Sequence, residues 1–213
     1  MNGAQIIVGG SGAFLGALLA GPLLQFAWVT DKTLVGCPAP KINVYALFLA
    51  ALIGGANACV GVALGLPFAA AIFFGALVGA LCFADGVAFI IPDAALVGLC
   101  VLAALLAVSG QPALTRVAMT ETVLLAAALL GAVAWLSRLR ATVAFARGDY
   151  KVMGVLALFL PVHIYAGAVM ATAPLALLWI LIRGGSALPF GLLIGAAIPF
   201  SVFLLPIQLL GFL

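Results

Sequence analysis

The 213-residue sequence predicts an all-α polytopic membrane protein, a bundle of about eight transmembrane helices. Composition is the first sign: 68% of the residues are hydrophobic and 6% charged, whereas a soluble domain needs roughly a quarter of its residues charged to cover its surface. Patterning is the second. Residues 1–30, 42–84, 94–115, 122–137, 152–182 and 184–213 contain no Asp, Glu, Lys or Arg, and such unbroken apolar runs lack the alternation of a membrane β-barrel. Length is the third, because a hydrocarbon core of about 30 Å takes about 20 residues per helix. The chain therefore accommodates about eight spans with short loops. Residues 1–213 make a single transmembrane domain with no separate soluble domain.

The first helix is expected over 4–29. It lacks the basic leading segment of a secretory signal, and its apolar run is too long for one, so it reads as a retained span. Residues 44–64 and 68–84 form the second and third helices, divided at Gly65-Leu66-Pro67. The fourth, over 93–109, starts behind Pro92, and the fifth covers 121–137. A division at Ala171-Thr172-Ala173-Pro174 gives a sixth helix over 152–170 and a seventh over 174–183, which is short and either tilted or continuous with its neighbour. The eighth covers 189–212.

Charge then orients the bundle. In this layout Lys32, Lys41, Arg138, Arg140, Arg147, Lys151 and Arg183 share one side and only Arg116 lies on the other. Basic residues concentrate on the cytoplasmic side of membrane proteins, which places both termini outside the cytoplasm. The net charge of +3 is too small and too scattered for a nucleic-acid surface.

Several features read as structural. GxxxG spacings at Gly12/Gly16, Gly61/Gly65, Gly75/Gly79 and Gly191/Gly195 suit close packing within one bundle. Cys59, Cys82 and Cys100 fall inside spans, where a thiol acts as a small apolar group. Cys37 stands alone in the first loop without the paired spacing of a zinc site, so neither metal nor cofactor is expected. His163 is expected inside the sixth span, hydrogen-bonded to a neighbouring helix.

The acids carry more information, since a carboxylate at membrane depth is expensive. Asp31 beside Lys32 is a solvated pair, and Glu121 and Asp93 suit helix N-termini. Asp85, in Cys82-Phe83-Ala84-Asp85-Gly86, closes the third helix with no basic neighbour in sequence. Asp149, in Arg147-Gly148-Asp149-Tyr150-Lys151, lies just before the sixth helix at the same level. Two such carboxylates sharing a proton can act as base and acid in hydrolysis of a peptide bond. Alternatively, both merely mark the membrane edge.

Around these residues the sequence resembles the type IV prepilin peptidases, membrane aspartic proteases with a GxGD motif. Asp85 is followed by Gly86-Val87-Ala88-Phe89-Ile90-Ile91 and then Pro92-Asp93, as in the family's first acidic motif. Gly148-Asp149-Tyr150-Lys151 resembles its second motif, with Ala146 in the place of the first glycine. Gly12-Ala13-Phe14-Leu15-Gly16 looks like the family's glycine-rich first helix, and Leu188-Pro189-Phe190-Gly191 like the opening of its last. The resemblance implies an endopeptidase that removes the short basic leader of prepilins or pseudopilins at the cytoplasmic face of a bacterial inner membrane. Asp85 and Asp149 would be catalytic, with Gly148, Lys151, Pro92 and Asp93 supporting them. Larger members carry a cysteine-rich zinc-binding loop linked to N-methylation, and the short first loop here has no room for it. A different class also fits the composition: a small transporter subunit, or a membrane scaffold of peptidase-like fold, in which the acids carry protons or have no chemical duty.

Overall fold

The computed structural model describes residues 3–30, 42–110, 116–140, 147–183 and 188–203. The expected Asp31/Lys32 pair, Cys37, Ala146 and the distal part of the last predicted helix lie outside them. Among the described residues are eight helices and no strands: α1 (Gly3–Thr30), α2 (Val44–Ala63), α3 (Phe68–Ala88), α4 (Asp93–Val108), α5 (Arg116–Arg140), α6 (Arg147–Leu156), α7 (Val162–Arg183) and α8 (Phe190–Phe203). Four of them, α1, α2, α3 and α7, are long and apolar enough to cross a membrane.

Local signals set most of the ends. Asn43 caps α2, its Oδ1 accepting the Tyr45 amide at 2.9 Å, a side-chain acceptor for an amide the helix cannot satisfy internally. The turn into α3 uses Gly65 at φ +80°, a conformation open to glycine at no steric cost. α3 runs one turn past Asp85 and stops at Phe89, whose φ of 54° is left-handed. A bulky residue there is strained, and the strained turn leads into Pro92, which starts α4.

Of the four long apolar helices, α3 is the most enclosed. It packs with α1 and α2 in a tight group, joined by α8 and α4, while α7 lies along α8 and α5 rests on α6 and α7. Small residues make the close approach possible, as the GxxxG spacings lead one to expect. A methyl group added to Gly55 would meet the Gly9 carbonyl oxygen at 2.8 Å, and one added to Gly79 would meet the Ala50 carbonyl at 2.8 Å. In lipid, where apolar side chains gain nothing by leaving water, such backbone proximity supplies the dispersion energy of association.

Two predicted helices are redrawn. The division expected at 171–174 does not occur, and α7 continues through Pro174. The break falls earlier, at 157–161, ahead of Pro161, because proline disfavours helix at the residue before it. Ala157, Phe159 and Leu160 are buried, and the Phe159 ring lies 5.0 Å from that of Phe74. Irregular backbone at membrane depth is tolerated where protein covers it. At Pro174 the exposed helix simply carries the missing donor, and Thr172 bonds the Val169 carbonyl at 2.6 Å nearby. α5 also starts earlier than expected, so Glu121 is an exposed residue within the helix and not its first. His163 is exposed in the first turn of α7 and not enclosed between helices.

α8 contains Pro199, which has no N–H to offer the Gly195 carbonyl one turn earlier. Asn57, fully buried in α2, fills the gap: its amide donates to the Gly195 carbonyl at 2.9 Å and to the Ile53 carbonyl at 2.9 Å. The helix-breaking residue of one element is thus compensated by a side chain of another.

Candidate active site

The start of α2, the end of α3, the end of α7 and the start of α8 meet at one end of the bundle, around a pocket lined by residues of all four. The starts of α4 and α6 join there through a Lys151–Asp93 ion pair at 2.7 Å. These are the ends that the charge pattern assigns to one side.

Asp85 stands one turn before the end of α3 and is 3% exposed. Its Oδ2 accepts the backbone N–H of Leu192 at 3.1 Å. That amide belongs to the first turn of α8, where helical N–H groups have no internal acceptor and the helix dipole favours negative charge. Gly191 lets α8 come this close, since an added methyl would lie 2.7 Å from Leu81 Cδ2 and 3.1 Å from Asp85 Oδ2. Cys82, one turn before Asp85, donates its thiol to the Gly191 carbonyl at 3.4 Å. α3 therefore holds the Gly191–Leu192 peptide unit of α8 by both its carbonyl and its N–H.

Asp149 is also buried, in the first turn of α6, and is near enough to Asp85 for their charges to interact. The two acids singled out from the sequence, 64 positions apart, therefore lie at one end of the bundle within range of each other's charge. Gly148 sets the approach of α6: a methyl group on it would meet Ile91 Cδ1 at 2.8 Å. The expected supporting residues form a clip between the two acidic segments. Gly148 packs on Ile91, buried Pro92 turns the chain into α4, and Lys151 bonds Asp93. Both ends of the ion pair are more than half exposed, so the contact orients α6 against α4 and adds little energy.

Two contributors escaped the sequence. The amide of Leu192 acts through backbone, and its only trace was the Pro189-Phe190-Gly191 segment that opens a helix. Asn57 was the lone amide within the second predicted helix, a polar group in a span that calls for a partner. No group of three or more His, Cys, Asp or Glu side chains that could hold a metal ion occurs among the described residues.

Comparison of the chain with protein-family models, with characterised proteins and with solved structures gives no match.

Proposed function

We propose that the chain is a membrane aspartic endopeptidase that cleaves the short basic leader of prepilin-like proteins. In this proposal the helices make eight crossings of a bacterial inner membrane, with both termini outside and the acids at the cytoplasmic face. The observation that carries it is the burial of two carboxylates, Asp85 and Asp149, at one end of an apolar bundle and within range of each other's charge. Burying one carboxylate in such a bundle is costly, and burying two together costs more unless they share a proton.

The chemistry follows from one proton between two acids. The ionised carboxylate takes a proton from water as the water oxygen bonds to the scissile carbonyl carbon. The protonated partner gives its proton to the leaving nitrogen as the C–N bond breaks, and one water is consumed per peptide cut. The Leu192 amide holds Asp85 in place, and the Gly148 and Lys151 contacts set the position of Asp149. An apolar substrate segment is held in the bilayer, and its basic leader stays on the cytoplasmic side, where basic segments of membrane proteins are retained. A mechanism that needs one acid charged and one neutral gives a bell-shaped dependence of cleavage on pH.

The test is processing of a co-expressed prepilin. Asp85→Asn and Asp149→Asn should each abolish leader removal while membrane insertion and helicity stay intact. Normal processing by either variant would defeat the proposal. Proton flux through the purified protein in vesicles, lost in the same variants and without proteolysis, would favour a transporter.

A further inference from the structure

The two-acid chemistry makes no use of Cys82, a thiol that the sequence reads as a small apolar group. The structure gives it a polar partner. Cys82 is fully buried one turn before Asp85 on α3 and donates to the Gly191 carbonyl at 3.4 Å. In a helix that carbonyl also serves the amide four residues on, and its oxygen has a second lone pair for the thiol. The bond is therefore additional to α8 and not needed to complete it.

Glycines make room for the contact. A methyl group on Gly195 would collide with Cys82 Sγ, and one on Gly191 would lie 3.1 Å from Asp85 Oδ2. Without side chains at these two places, the sulfur lies directly against the backbone of α8. One turn deeper, the Gly195 carbonyl accepts from the Asn57 amide at 2.9 Å. Two successive turns of α8 are thus each fixed by a side chain of another helix.

The peptide unit that Cys82 holds is also the one that holds the acid. Residue 191 supplies the carbonyl that accepts from the thiol, and residue 192 the N–H that donates to Asp85 Oδ2 at 3.1 Å. The carbonyl and the N–H of one peptide are conjugated, so a donor on the oxygen makes the N–H a stronger donor in turn. The two bonds reinforce each other, most of all when the carboxylate end is ionised.

Resting on the peptidase reading, we propose that the Gly191–Leu192 peptide is a relay between Cys82 and Asp85, and that Cys82 is a positioning residue for the proposed catalytic acid. Its thiol acts through the amide, setting the plane and the donor strength of the group that orients Asp85.

The experiment has two arms, both on the full chain. In the first, Cys37→Ala, Cys59→Ala and Cys100→Ala are combined so that the infrared S–H stretch reports Cys82 alone. The band should sit on the hydrogen-bonded side, and Asp85→Asn, which removes the charge and keeps the shape, should move it back towards the free-thiol position. A band that Asp85→Asn leaves in place would overturn the relay. The second arm is prepilin cleavage. Cys82→Ala should lower kcat about threefold or more with KM unchanged, the scale of one modest hydrogen bond, whereas Cys82→Ser, close in size and still a donor, should retain most of it. Equal losses in the two variants would assign Cys82 to packing and overturn the positioning role. A wild type that cuts no prepilin, with a band that still responds to Asp85→Asn, would defeat the peptidase reading and leave the relay standing.

Discussion

Asp85 is held by an amide that exists only because α8 begins where it does. Gly191 and Leu192 give this contact its geometry, and Gly191 has no room for a side chain on the α3 side. Gly191→Val should therefore push α8 away from Asp85, lowering kcat of the proposed peptidase by about tenfold or more, since one lost orienting contact in a buried site is worth at least about 1.4 kcal/mol. Overpacking should also cost about 1–3 kcal/mol of stability, which thermal unfolding in detergent would report separately from a change in kcat. The Lys151–Asp93 pair predicts the opposite pattern. With both side chains more than half exposed, a double-mutant cycle of Lys151→Ala and Asp93→Ala should give a coupling below about 1 kcal/mol. A coupling several times larger would show that the pair is part of the buried site. The residue types at both places were legible in the sequence, as acids and a lysine near turns. Their pairing was not, because Asp93 also suits a helix start, and its partner is 58 positions away.

α8 accommodates Pro199 because α2 brings an amide to the orphaned Gly195 carbonyl. Two substitutions separate this account from simple packing. Asn57→Ala should destabilise the protein by about 1 kcal/mol, the usual scale of an interhelical hydrogen bond in a membrane protein. In a Pro199→Ala background α8 can supply its own N–H, and the same substitution should cost measurably less. Equal costs in both backgrounds would show that Asn57 does not serve the proline. The redrawn boundary of α6 and α7 teaches a related lesson. Pro161 and Pro174 both interrupt apolar sequence, yet only Pro161 ends a helix. The difference lies in what surrounds the freed backbone: the turn at 157–161 is enclosed by the core, with Phe159 against Phe74. Neither environment can be read from the residues next to the proline.

Across the bundle, the ends that carry Asn43, Asp85, Asp93, Asp149 and Leu192 gather together, and the ends at Gly65 and Ser109 face away by one helix length. Labelling of single cysteines, introduced into a variant without the native ones, tests this arrangement together with the proposed orientation. Asn43→Cys and Lys151→Cys should react with an impermeant maleimide from the cytoplasmic side, and Ser109→Cys from the opposite side. Reaction of Asn43→Cys and Ser109→Cys from the same side would break the layout. The most densely packed region, where α1, α2 and α3 meet through glycines, lies behind the acids. It provides a stiff support for α3, the helix that carries Asp85.

Hydropathy and charge accumulate along the chain. For that reason the sequence alone specified an all-helical apolar protein, placed α1 to α4 within a few residues, and singled out two acids with no evident partner among their neighbours in sequence. Apolar runs, glycine-proline turns and charged ends act through neighbours in sequence, so a local inspection finds them. Proximity is different in kind. The shared location of Asp85 and Asp149, the Leu192 amide, the Asn57 bond to Gly195 and the pocket lined by Trp179 each join groups far apart in the chain. Their positions depend on how closely helices pack, and that closeness is set by which glycine meets which backbone across the interface.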